Sequence, residues 1–160
     1  MIRHGQPLRR VLMAEQELRC YPPDARALFQ GDPACWLPGT MIMRGASTFR
    51  TRMRMQGVSL ELQLRVGMPW TRGTSTTRHL RMECVDPGMA WLLPAVEGDL
   101  TLLGEQRLRL RFEGAAVGVR TLSARRLSVP WVMRRVTAGI VARLTAGTPS
   151  LVRPMTGTRR

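Results

Sequence analysis

The strongest candidate for chemistry in this chain is an arginine. Arg78 precedes Leu80, Met82 and Cys84 at a spacing of two in a segment that reads as a strand, so it shares their apolar face. A guanidinium on an inner face needs a carboxylate or several acceptors, and the acid group of a ligand is one such partner. The competing reading puts residue 78 near the strand end, with its long side chain snorkelling to water. Thr51 lies between Phe49 and Met53 on another inward face. Its hydroxyl either orients a ligand or bonds its own backbone. His79 falls on the opposite face beside Arg81, a surface position, and His4 lies in the N-terminal leader. Neither histidine has a Ser, Cys or carboxylate at a recognisable spacing, so nucleophilic catalysis lacks a visible set of residues. Glu97 and Asp99 alternate outward on one strand and read as surface charges paired with arginines. No phosphate-binding glycine loop or metal motif is present, and no cofactor is expected.

The elements that must position these groups are written in alternation. Arg50, Arg52 and Arg54 interleave with Phe49, Thr51, Met53 and Met55, and Arg107, Arg109 and Arg111 with Leu108, Leu110 and Phe112. Ser59, Glu61, Gln63 and Arg65 alternate with Leu60, Leu62, Leu64 and Val66, and Arg81 and Glu83 with Leu80, Met82 and Cys84. Period two marks half-buried strands. It predicts a curved antiparallel sheet with strands over 9–20, 47–55, 58–66, 74–85, 97–103 and 106–113, which excludes a parallel βαβ order. Gln56-Gly57 suits a tight hairpin, Gly67-Met68-Pro69-Trp70 interrupts the run, and Asp86-Pro87-Gly88 is a turn. Gln16 falls on the apolar face of the first strand and weakens it.

Two short helices are expected between the first strand and the rest. The first follows Tyr21-Pro22-Pro23-Asp24 through Ala25, Leu28 and Phe29. The second has Asp32 as N-cap, Pro33 at the first helical position and Cys35, Trp36 and Leu37 in its body. From Ser123 to Ala146 the period changes: Val129, Val132, Met133, Val136, Ile140 and Leu144 form one helical stripe. Gly147 is a natural C-cap. Pro130 marks either a first turn capped by Ser128 or Val129, or a kink in a longer helix.

All 25 basic residues are arginine, and with 11 acids they give a net charge of +14. Such an excess suits an acidic protein, RNA or an anionic membrane, reached through the arginine-rich outer sheet face, or it is simply a solvated surface spread over many strands. Aromatics are only 5% of residues, and the strand aromatics point inward. That argues against base stacking but permits contact with phosphates. Cys20, Cys35 and Cys84 lie far apart amid apolar neighbours and read as buried free thiols of a reducing compartment. With no apolar h-region and no run near the roughly 18 residues of a membrane span, a cytoplasmic location is expected. One domain over 9–146 is expected, with a loose leader over 1–8 and a basic flexible tail over 147–160. Nothing in the sequence sets an oligomeric state.

Tyr21-Pro22-Pro23-Asp24-Ala25-Arg26-Ala27-Leu28-Phe29 followed by Asp32-Pro33-Ala34-Cys35-Trp36-Leu37-Pro38-Gly39 resembles the opening of START-like (SRPBCC, Bet v 1-like) domains. Leu93 to Leu100 and Arg135 to Val141 look like segments of small bacterial members of that superfamily. The resemblance implies an α+β helix-grip fold, a curved antiparallel sheet wrapped around a long C-terminal helix. It also implies a cavity between them for a lipid, polyketide or other small apolar ligand. Polyketide cyclase or aromatase activity is the enzymatic alternative, and no catalytic residue of such a set can be matched here. On that fold the inward faces converge. Candidate lining residues are Phe49, Met53, Leu62, Leu64, Leu80, Met82, Leu110, Met133, Val136 and Ile140, with Trp36, Trp70 and Trp131 as walls at the mouth and Thr51 and Arg78 as polar contacts. The competing reading is that these side chains fill a solid core.

Overall fold

Alternation in the sequence becomes a single antiparallel sheet that grips one helix. The structure, a computed structural model, describes residues 11–39, 42–43, 48–55, 57–86, 93–117 and 125–147. The expectations for the leader 1–8, His4, Gln56, Pro87-Gly88, Ser123 and the tail beyond 147 lie outside the described residues, as do the side chains of Met55 and Ser128. In chain order the elements are β1 (Leu12–Leu18), α1 (Pro22–Gln30), a 3-10 turn (Pro33–Cys35), β2 (Ile42–Met43), β3 (Thr48–Met55), β4 (Val58–Val66), β5 (Trp70–Arg72), β6 (Ser75–Cys84), β7 (Ala95–Leu103), β8 (Leu108–Val117) and α2 (Arg125–Gly147). The sheet order is β1-β8-β7-β6-β4-β3-β2, with β5 attached to β6. This is the helix-grip fold.

The departures from expectation have local causes. Strand β8 runs on to Val117 because Gly114-Ala115-Ala116-Val117, too uniformly small to alternate, still pairs with β7. The segment at Trp70 is a strand rather than an interruption. β6 extends past the end of β4, and Trp70, Thr71 and Arg72 pair with the overhang at Thr77, Thr76 and Ser75. Asp32 caps the 3-10 turn through a 3.0 Å bond from the Ala34 N–H to Oδ1, but the turn closes at Cys35 and leaves Trp36 and Leu37 beyond it, both fully buried. Pro130 lies inside α2, which is already formed at Arg125, so the reading with a cap at Ser128 or Val129 fails. The proline sits in the second turn, where its missing N–H leaves the Arg126 carbonyl without its usual helical donor. The cysteines are free, yet Cys35 is exposed and Cys20 and Cys84 are half-buried rather than buried. Pro33, Trp36 and Leu37 take the inner positions around Cys35 and turn it outward.

Alternate residues of the strands face α2. Leu60, Leu62 and Leu64 of β4, Leu80 and Met82 of β6, Leu100 and Leu102 of β7, and Leu108, Leu110 and Phe112 of β8 are buried against Val132, Val136, Ile140 and Leu144. Each such side chain contributes about 1.5–3 kcal/mol when fully buried. Gly98 of β7 pairs with Gly114 of β8. A Cβ on Gly98 would overlap the Glu113 carbonyl and the Gly114 Cα, so the two strands approach each other more closely than side chains allow.

Candidate functional site: the interior between sheet and helix

The two ends of the grip are built differently. At one end lie α1, the 3-10 turn, the β7–β8 turn and the start of β6. At the other lie the β3–β4 turn, the end of β6, the end of β8 and the start of α2.

The first end is latched by polar contacts. The Arg26 guanidinium donates to the Gly104 carbonyl, and Gln30 Nε2 donates to Thr76 Oγ1 at 3.1 Å. Arg78 completes the latch from β6. Its Nη1 donates to the Phe29 and Gly31 carbonyls at 2.9 and 2.7 Å, and its Nε to the Gly67 carbonyl at 3.0 Å. The last carbonyls of a helix have no partner within it, and a cation there also suits the helix dipole. The Trp36 ring lies 5.4 Å from the guanidinium carbon and packs on Phe29 at 4.8 Å. Burial pushes the Arg78 pKa down, with the charge of Asp32 acting the other way. Arg78 is 4% exposed, so the snorkelling reading fails: three backbone carbonyls supply inside what water was expected to supply outside. Thr51 bonds a carbonyl of another segment rather than its own backbone. Its hydroxyl donates to the Pro38 carbonyl at 2.8 Å and ties β3 to the segment after the 3-10 turn. Thr137 donates to Met133 O at 2.7 Å.

The second end has no such latch among the described residues. Of the ten predicted lining side chains, Phe49, Leu62, Leu64, Leu80, Met82, Leu110, Met133, Val136 and Ile140 are buried in one continuous core, and Met53 alone is half-buried. Cys20, Leu28 and Ala34 share that condition at the first end, and Leu12, Cys84, Ala116 and Trp131 share it with Met53 at the second. The five elements carrying this second set (β1, β3, β6, β8 and the second turn of α2) meet at this end. Pattern reading missed Ala116, whose signal was a small side chain in inward register, and took Cys84 for a fully buried thiol. Burial pushes the Cys84 pKa up, and the charge of Asp86 adds to this. Its Sγ lies 3.8 Å from the Leu93 carbonyl. The three tryptophans do not form one rim. Trp36 is buried at the latched end, Trp70 is 54% exposed on β5 at that same end, and Trp131 stands at the open end.

The outer sheet face is not coated by arginine alone. Eight arginines point outward from the strands: Arg50, Arg52 and Arg54 of β3, Arg65 of β4, Arg72 of β5, Arg81 of β6, and Arg109 and Arg111 of β8. Seven carboxylates share the face: Glu15 and Glu17 of β1, Glu61 of β4, Glu83 of β6, Glu97 and Asp99 of β7, and Glu113 of β8. Ion pairs cross between strands. Glu15 takes Arg111 at 2.8 Å and Arg109 at 3.2 Å, and Glu97 takes Arg81 at 3.2 Å. The Arg111 hydrogen bond, opposed by slight burial and helped by both arginine charges, holds the Glu15 carboxyl below the usual range. His79, expected to lack a carboxylate, has two: Nε2 to Glu97 Oε1 at 2.8 Å and Nδ1 to Asp99 Oδ1 at 3.2 Å. The β6–β7 register, with His79 opposite Asp99, creates this cluster. Partial burial works against the imidazolium, but both carboxylates together outweigh it and raise the His79 pKa. Among the described residues no three His, Cys, Asp or Glu side chains are placed to hold a metal ion, and no helix is long and apolar enough to cross a membrane.

No protein-family model matches the chain, and no curated protein matches it. Solved structures do. Norcoclaurine synthase of Thalictrum flavum, in complex with a transition-state analogue, aligns with a TM-score of 0.61 at 8% identity, over 89% of this chain and 96% of that one. The STAR-related lipid transfer protein of Xanthomonas axonopodis aligns with a TM-score of 0.53 at 13% identity, over 88% of both chains. A putative protein of the dynemicin biosynthetic locus aligns with a TM-score of 0.50 at 14% identity, over 85% of this chain and 46% of the other. The fold is therefore that of the START/Bet v 1-like proteins.

Proposed function

We propose that this protein binds a small apolar molecule between its sheet and α2, without covalent chemistry, admitting it at the end opposite α1. The supporting observation is the asymmetry of the interior. Apolar surface at Met53, Cys84, Ala116 and Trp131 stays partly accessible at the end without a latch, while the other end, where Cys20, Leu28 and Ala34 are also half-buried, is tied by Arg78 to the carbonyls of Phe29 and Gly31. Covering some 300 Å² of apolar ligand surface there would yield about 7 kcal/mol of gross transfer free energy, ahead of the cost of association. One of the structural neighbours carries a name that fits this reading, a lipid transfer protein.

The buried polar groups bear on the cyclase alternative. Such an enzyme needs a polar group free to act on its substrate, whereas Thr51, Arg78 and Thr137 are each engaged by backbone carbonyls. No observation favours that alternative over binding.

The test is native mass spectrometry of the purified protein, with extraction and identification of any co-purified molecule, followed by titration with the fluorescent fatty acid cis-parinaric acid. Saturable binding that Ala116→Phe weakens by at least about tenfold is the expected result. A protein that is empty as purified and shows no saturable probe binding would end the proposal.

A further inference from the structure

The excess positive charge lies elsewhere than the alternating strands suggested. The strand faces carry eight arginines against seven carboxylates, so they contribute little to the net +14. Glu113 is the last acidic residue of the chain, and nine arginines follow it. Three of them lie on the solvent side of α2: Arg134, Arg135 and Arg143 are exposed, with the small Ala138 and Ala142 between them. None of the three forms an ion pair among the described residues. Arg143 is engaged by the Ala34 and Cys35 carbonyls at 3.1 and 3.3 Å. Arg134 is left to solvent, and the Arg135 guanidinium carbon sits 5.4 Å from the ring of Trp131 one turn earlier. That half-buried tryptophan also belongs to the open end of the interior.

We infer that this face of α2, centred on Trp131, Arg134 and Arg135, docks onto an anionic phospholipid surface and sets the open end against it. The inference rests on the reading of the interior as an apolar binding site. Arginines near an anionic leaflet strengthen attachment by about fivefold each. An amphipathic tryptophan ring settles at headgroup depth, and the alanines let the helix approach closely. Nucleic acid fits less well. Its aromatic contacts need free ring faces for stacking, and one face of Trp131 is already covered by Arg135. The partly accessible apolar groups at the same end suit a cargo that dissolves in lipid rather than in water.

The test is co-sedimentation of the full chain with vesicles of phosphatidylcholine alone and of phosphatidylcholine doped with phosphatidylglycerol. Binding should need the anionic lipid and fall as salt is raised. The double variant Arg134→Gln/Arg135→Gln should bind doped vesicles about 25-fold more weakly, with an unchanged circular dichroism spectrum. Arg52→Gln/Arg54→Gln, on the nearly charge-balanced sheet, should lose much less. Equal binding to both vesicle types, or a larger loss from the sheet pair than from the helix pair, overturns the inference. So does poly(U) that strips the protein from doped vesicles and whose own binding depends on Arg134 and Arg135, since the occupant is then RNA. Binding of cis-parinaric acid separates the two readings. Probe binding without vesicle binding defeats the docking and leaves the interior site standing. Vesicle binding without probe binding upholds the docking surface and removes the cargo.

Discussion

Replacing Arg78 by methionine tests whether the buried guanidinium is a latch or a ligand receptor. Methionine fills a similar volume but cannot donate. The variant loses three bonds from a charged donor, at 2.7, 2.9 and 3.0 Å, each contributing roughly 1.5–3 kcal/mol. Against this gross loss of roughly 4.5–9 kcal/mol stands the relief of keeping a cation out of water, which returns several kcal/mol. The carbonyls of Phe29, Gly31 and Gly67 remain without their donor, so the balance is a net loss of about 2–4 kcal/mol. For a chain of this length that lowers the melting temperature by roughly 5–15 °C. Arg78→Lys keeps the charge but not the planar fork that reaches carbonyls from two segments, so it should fall in between. Urea titration followed by tryptophan fluorescence reads the change, with cis-parinaric acid binding measured on the folded fraction. A midpoint for Arg78→Met unchanged from the parent, together with lost probe binding, would refute the latch and make Arg78 a ligand contact.

Three further outcomes follow from the same structure. Gly98→Ala should cost more than about 3 kcal/mol in urea unfolding, since its Cβ meets β8 backbone. Gly57→Ala, in open space at φ 80°, should cost only the left-handed strain of about 1–2 kcal/mol; equal costs would disprove the close approach of β7 and β8. Thr51→Val, which leaves the Pro38 carbonyl without its donor, should lose about 1–2 kcal/mol, and a neutral result would show that this bond contributes nothing. The raised pKa of His79 gives a stabilising contribution that is complete below the ordinary histidine value of about 6.5 and is lost as pH rises through the folded value. His79→Gln should flatten the unfolding midpoint between neutral and mildly alkaline pH, and a profile identical to the parent's would remove the cluster from the account.

Much of the fold was legible because period two and period 3.6 are local properties. The alternation through Phe49–Met53, Leu60–Val66, Leu80–Cys84 and Leu108–Phe112, and the stripe from Val129 to Leu144, identify buried faces without any knowledge of partners. Strand β5 escaped because three residues carry no period; only the overhang of β6 makes Trp70–Arg72 a strand. The far end of β8 escaped because glycine and alanine do not alternate.

The site was less legible, and the reasons are specific. Parity placed Arg78 inside, but its acceptors are carbonyls 49, 47 and 11 residues away, and a carbonyl has no sequence signature. His79 and Asp99 are 20 residues apart and become neighbours through strand register. The tryptophans were grouped by residue type, whereas the topology sends Trp36 and Trp70 to one end and Trp131 to the other.

By itself, then, the sequence determined which side of each element faces the core, the order of the elements and the total charge, since composition and periodicity carry all three. Tertiary structure decided where the charge is uncompensated, which end of the grip is latched and which buried polar groups are already occupied. Those outcomes depend on strand register and helix placement, which bring together residues that no local pattern relates.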